Sequence, residues 1–190
     1  MIIRKLSQDQ VSYIYKTYMV NDFPPNELKP LSMILKGMEN DVFEGLGLMS
    51  QDKEDKILGY AIFVKNGKDY LFDYLAVVDG NRNDGIGSTF LKHIAEYLKD
   101  ADSVIGEVED PDFANNEAQK QLQERRIGFY KRNGYIDTNV KVKLYGVDFR
   151  VFELDLGRNH SEKEIKRLYK SVYKKTFPRI MYYKNVKVKR

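Results

Sequence analysis

The stretch from Leu75 to Leu98 constrains the fold more than any other part of the chain. An apolar strand running from Tyr70 to Val78 gives way to Asp79-Gly80-Asn81-Arg82-Asn83-Asp84-Gly85-Ile86-Gly87, a turn dense in Gly, Asn and Asp. Beyond it Ile86, Phe90, Leu91, Ile94, Ala95 and Leu98 recur at helical spacing, so the order is strand, turn, amphipathic helix. Gly85 and Gly87 stand where the helix begins, with no Cβ to hold an approaching group away from the backbone. The first N–H groups of a helix lack an intrahelical acceptor and carry partial positive charge, so this turn is a seat for a phosphate or pyrophosphate. Asn83, Asp84, Ile86 and Ser88 share the loop, and Arg82 either supplies a second, charged donor or caps the turn. Two familiar phosphate loops are excluded by spacing: no Lys follows Gly87, and position 90 is Phe where a dinucleotide loop needs Gly.

What precedes and follows the loop sets the architecture. Residues 1 to 6 read as an edge strand, and a helix from Ser7, with Val11, Tyr15 and Tyr18 at helical spacing, ends near Asn21-Asp22. Phe23-Pro24-Pro25 forces an extended break, and a second helix is expected over Glu27 to Met38. Strands Val42 to Ser50, Ile57 to Lys65 and Asp69 to Val78 follow, the first two joined at the charged tip 51–56 and the last two at Asn66-Gly67. After the central helix come a strand from Ser103 to Glu109, a helix from about Asn116 to Asn133 closed by Gly134, and strands near Tyr135 to Tyr145 and Val147 to Leu156. A nucleotide-binding Rossmann unit opens with its glycine loop after the first strand, so this order argues against one.

Arg82-x-x-Gly85-x-Gly87 resembles motif A of the GNAT family of acetyl-CoA-dependent N-acetyltransferases, and Phe129-Tyr130-x-x-x-Gly134-Tyr135 resembles its motif B. The resemblance covers residues 1 to about 157, with the elements in the family's order. It implies an α/β fold with a central mixed, mostly antiparallel sheet of about seven strands flanked by helices. It also implies acetyl-CoA as cosubstrate and direct transfer of acetyl to a primary amine in a ternary complex. The backbone at Val77 and Val78 would hold the pantetheine and the acetyl carbonyl, with Asn116 and Tyr130 beside the pantetheine arm. The helices around Phe23 would form one wall of the acceptor site, or serve only as covering helices.

Direct transfer needs a base for the amine and an acid for the leaving thiolate. Tyr130, at the motif B tyrosine, is the candidate acid; the alternative is a core aromatic, one of 14 Tyr. Asp73 interrupts an otherwise apolar strand beside the loop, and Glu107 and Glu109 share a face of the next strand. Asp73 and Glu107 are candidate bases, and all three carboxylates are candidates for binding a cationic amine, a small molecule or a peptide. His93, within the central helix, reads as structural.

Composition closes off other chemistries. The chain has no Cys and two His, so disulfides, thiolate nucleophiles and Cys- or His-rich metal sites are out, and no metal is expected. No apolar run approaches spanning length and the N-terminus is not a signal peptide, which points to the cytoplasm and away from membranes. Residues 158–190 hold 12 Lys/Arg against 2 acidic residues, while residues 1–157 hold 20 against 26. The basic tail carries a capping box at Ser161 and Glu164 and an apolar stripe at Ile165, Leu168, Tyr169, Val172 and Tyr173. It therefore reads as an added helix over 161–176, packed on the 1–157 domain or on a second subunit as a homodimer, with a strand from Arg179 to Arg190 at a partner's sheet edge. The stripe argues against a nucleic-acid arm. A non-catalytic acyl-CoA-binding module and a nucleic-acid-associated protein are the alternatives to the enzyme.

Overall fold

A computed structural model describes residues 1–25, 27–51, 56–80 and 84–189. Residues 52–55 of the expected hairpin tip at 51–56 and the loop positions Asn81, Arg82 and Asn83 lie outside them. The elements run β1 (Ile2–Lys5), α1 (Gln8–Ile14), α2 (Val20–Asp22), α3 (Leu31–Glu39), β2 (Phe43–Met49), β3 (Ile57–Asn66), β4 (Asp69–Val77) and α4 (Ile86–Tyr97). They continue with β5 (Ser103–Glu109), α5 (Glu117–Arg132), β6 (Tyr135–Leu144), β7 (Val147–Leu154), α6 (Glu162–Thr176), α7 (Arg179–Asn185) and β8 (Val186–Val188). Contacts gather these into two units, one of residues 1–65 with 72–97 and one of residues 66–71 with 98–190.

In the first unit the strands lie in the order β1-β2-β3-β4. β2 pairs antiparallel with β3, Phe43 opposite Val64 and Leu46 opposite Ala61. Every residue of β2 is buried, as are the first eight of β3, so both faces are covered and the alternation of a half-wet sheet is missing. The first helix is not uniform. Ser7 starts it with a capping box to Gln10, but Tyr15–Met19 form a π turn between α1 and α2. The residues buried along it are Val11, Ile14 and Met19, not the Val11, Tyr15 and Tyr18 that a regular repeat selects. The wider turn shifts the inward position by one residue and leaves the two tyrosines at the margin of the core. The second helix also starts later than its sequence suggests, at Leu31 behind Pro30. Proline biases the residue before it away from the helical region, and Lys29 is that residue.

In the second unit the order is β5-β7-β6-β8. β7 pairs antiparallel with β5, Glu107 opposite Val151, and with β6, Val142 opposite Phe149. The tail belongs here: α6 buries Ile165, Leu168, Tyr169, Val172 and Tyr173, and it packs on β6, β8 and α7. Residues 179–185 are helix rather than strand, and β8 pairs with β6 of its own chain, Val142 opposite Val188, rather than with a partner. This strand is why eight are found where about seven were expected. Among the described residues no helix is long and apolar enough to cross a membrane.

Candidate active site

The anion seat is built where β4 ends and α4 begins. Gly80 and Gly85 take φ of +84° and +73°, the left-handed region where a side chain is strained. Among the described residues nothing lies within 4 Å of where a Cβ on Gly85 would project, so they leave the approach open. Helical bonding starts with the Thr89 N–H donating to the Gly85 carbonyl at 3.0 Å. The amides of Ile86, Gly87 and Ser88 are thus the first-turn donors with no acceptor inside the helix. Asp84, Gly85 and Ser88 are exposed and Ile86 and Gly87 half-buried. Just before the turn, the Val78 N–H donates to the Leu58 carbonyl of β3 at 3.0 Å, so that amide is already engaged while Val77 ends the strand. A cavity of about 290 Å³ opens beside Val78, Asp79 and Gly80, its other walls being Tyr13, Tyr18, Lys56 and Ile57.

On the same unit, the Pro-rich joint before α3 is tied down onto β4. Phe23 packs edge-on to Tyr74 with ring centroids 5.0 Å apart. The Tyr74 hydroxyl accepts from the Lys29 N–H and donates to the Glu27 carbonyl, both at 2.8 Å. Burial, and then the negative charge of Asp73, hold this phenol protonated far above its usual range. The Lys29 ammonium lies 2.5 Å from Asp73 Oδ1, with the lysine side chain 14% exposed and the carboxylate 5%. Asp73 Oδ2 is buried, with no hydrogen-bond partner among the described residues. Asp73 is therefore an ion-paired carboxylate with one open acceptor atom, a feature that alternation along the strand does not disclose.

On the second unit, Tyr130 sits near the end of α5, half-buried, between Phe129 and Tyr135 at 5.4 Å from each ring. Burial pushes its phenol up to about 12, against a smaller opposing effect of Arg126. Among the described residues no partner takes its hydroxyl. Glu107 and Glu109 do not act as a pair. Glu107 accepts hydrogen bonds from Tyr169 and Tyr173 of α6, the latter at 2.6 Å. Glu109 is salt-bridged to Arg126 at 2.9 Å. Asn116 caps α5, its side chain accepting from the Gln119 N–H at 2.9 Å, and it is exposed. The i, i+4 tyrosines of the tail stripe were legible as a core pattern, but nothing local in the sequence assigns them to Glu107. Lys29 left no signal beyond its place in a Pro-rich joint.

The strands, helices and pairings make a mixed α/β fold, and comparison with known proteins places it among solved ones. Residues 48–137 match the model of the acetyltransferase (GNAT) domain. A structure assigned to the GNAT acetyltransferases from Bacteroides thetaiotaomicron superposes with a TM-score of 0.71 at 21% identity, covering 91% of this chain and 96% of that one. The ribosomal-protein-S18-alanine N-acetyltransferase of Escherichia coli gives 0.58 at 17%, covering 83% and 95%. The spermidine N-acetyltransferase of Vibrio cholerae, solved with CoA and spermine, gives 0.60 at 9%, covering 80% and 93%. Among curated proteins no match is found. The stretch 48–137 is thus similar to the GNAT acetyltransferase domain, and the chain shares the fold of these solved structures.

Proposed function

We propose that the protein transfers the acetyl group of acetyl-CoA to a primary amine by direct attack in a ternary complex, with residues 1–157 as the catalytic domain. The observation that carries this reading is the first turn of α4 inside the matched domain: amides with no acceptor inside the helix, next to a glycine at φ +73° with open space at its Cβ position among the described residues. That turn fits a pyrophosphate, since its donors are fixed in place and its dipole favours an anion. The amides of Ile86, Gly87 and Ser88 would hold the diphosphate, with Arg82, Asn83 and Asp84 around it, and Val77, Val78, Asn116 and Tyr130 would flank the pantetheine arm. Acetyl-CoA supplies an activated thioester carbonyl.

The remaining chemistry falls to the chain's own side chains. Tyr130 presents an unpaired hydroxyl that stays protonated at neutral pH, the state a proton donor to a departing thiolate must have. Between the two candidate bases, the geometry favours Asp73, whose buried Oδ2 keeps an acceptor position unfilled among the described residues and would take the amine proton. Glu107, held by two phenols, serves chiefly to anchor α6. The acceptor is a small-molecule or peptide amine met in the cytoplasm, with Phe23 on the wall beside Asp73. Glu109, paired with Arg126, would contribute only its negative field.

Calorimetric titration with acetyl-CoA tests the reading, using Gly87→Trp as the variant that fills the turn. Binding that the substitution abolishes, followed by thiol release with a panel of primary amines, supports it. No binding by the folded native protein overturns it, and binding without turnover for any amine leaves an acyl-CoA-binding module instead.

A further inference from the structure

Helix α6 has two faces. Its apolar face is buried in the second unit, and its Ser161–Glu164 capping box fixes where it starts. The opposite face carries Lys163, Arg167, Lys170 and Lys174, all exposed, with Lys166 at its margin. Among the described residues Lys166 alone of these has a carboxylate within salt-bridge range, Glu162 at 3.8 Å. Lys174 lies over the Tyr182 ring at 5.7 Å and keeps its charge uncompensated by any acid. An open groove of about 700 Å³ runs along this face, lined by these cations with Glu162 and Ser171.

We infer that this face of α6 is a docking surface for the phosphate backbone of duplex nucleic acid, bound without sequence preference. From Lys163 to Lys174 the helix advances about 16 Å, in steps of about 4.5–6 Å between successive cations. A duplex presents one negative charge per about 1.7 Å of its axis, so four cations along that length each find a phosphate. The face contains no apolar residue, which leaves nothing to bury in a lipid interface. The groove's lining is lysine-rich and includes no aromatic residue, the opposite of the aromatic, lysine-poor composition of protein–protein contacts. The same lack of aromatics removes the stacking platform that single strands use. Phosphate contacts position a duplex and carry no sequence information. The tail's net excess of ten positive charges, against an excess of six negative charges on residues 1–157, gives the attraction a direction on the molecule. The apolar stripe does not oppose this reading, because that stripe is consumed by packing while the cations remain outside.

The test is fluorescence anisotropy of the full chain with a fluorescein-labelled 20-base-pair duplex of mixed sequence between 50 and 200 mM NaCl. Four phosphate contacts give a slope of log K against log salt of about −3.6, or roughly a hundredfold loss of affinity over that range. The variant K163Q/R167Q/K170Q/K174Q is expected to lose most of the binding and of the slope. Its circular dichroism and its titration with acetyl-CoA should match the native protein, since these side chains are exposed and far from the anion turn in sequence. A variant that binds like the native chain overturns the proposal, as does a native chain that shows no binding at 50 mM NaCl. Displacement of the duplex by polyglutamate at equal charge concentration also overturns it and points to an acidic protein.

Discussion

Replacing Lys29 by Met removes one half of the most deeply buried ion pair on β4 while keeping most of the side-chain volume. The Lys29 ammonium lies 2.5 Å from Asp73 Oδ1, and the carboxylate is 5% exposed, with Oδ2 lacking a partner among the described residues. Without the lysine, both oxygens of a buried charge are left unmatched. Breaking such a pair from one side costs about 3–5 kcal/mol, whereas replacing both partners by apolar groups of similar size is often neutral. Lys29→Met alone is therefore expected to destabilise the first unit by about 3 kcal/mol, and Lys29→Met with Asp73→Leu by less than about 1 kcal/mol. With a urea m-value of about 3 kcal/mol per M, the single variant moves the midpoint down by about 1 M. Urea unfolding followed by circular dichroism, with Asp73→Leu completing the cycle, measures the coupling directly. If the single variant shifts the midpoint by less than about 0.3 M, the pair is effectively solvated and the reasoning fails. The cycle also bears on function: with the resident ammonium gone, Asp73 is left for a cationic acceptor. If Asp73 faces the acceptor, the KM for a cationic amine should fall in any Lys29→Met protein that still folds, with the KM for acetyl-CoA unchanged.

Three further outcomes follow from the same geometry. Gly85→Val places a β-branched residue at φ +73°, which costs about 1–3 kcal/mol of strain, and calorimetry should also show weaker acetyl-CoA binding. Tyr130→Phe is expected to lower kcat by about 10²-fold or more with the KM for acetyl-CoA unchanged. Because the native phenol titrates near 12 and an unfolded one near 10, any stability it contributes is present below about pH 10 and declines as pH rises toward 12. Asp110 is 1% exposed; burial pushes its carboxyl up, but hydrogen bonds from Lys141 and Arg150 outweigh that and hold it below the usual range. Its contribution is therefore full above about pH 4 and lost as pH falls through the lowered value, so Asp110→Asn should lower stability at pH 7 and flatten the acid limb of a pH–Tm curve.

What the sequence determined by itself lies in local chemistry. Gly85 and Gly87 ahead of an amphipathic repeat specify an open helix start, because chain stereochemistry and unpaired amides need no distant partner. The capping boxes at Ser7 and Ser161 and the stripe at Ile165, Leu168, Tyr169, Val172 and Tyr173 specify helices for the same reason. Even the order of strands and helices was legible, since periodicity and turn residues mark each element in place. The tertiary structure decided everything that depends on who meets whom. A π turn at Tyr15–Met19 put Met19 in the core and left Tyr18 at its margin. β8 found an edge on its own β6. The three acidic candidates, alike in sequence, parted company: Asp73 took Lys29 from a loop 44 residues away, Glu109 took Arg126, and Glu107 took two phenols from the tail. A carboxylate's role rests on its neighbours and its burial, and those are set by contacts between segments far apart in the chain.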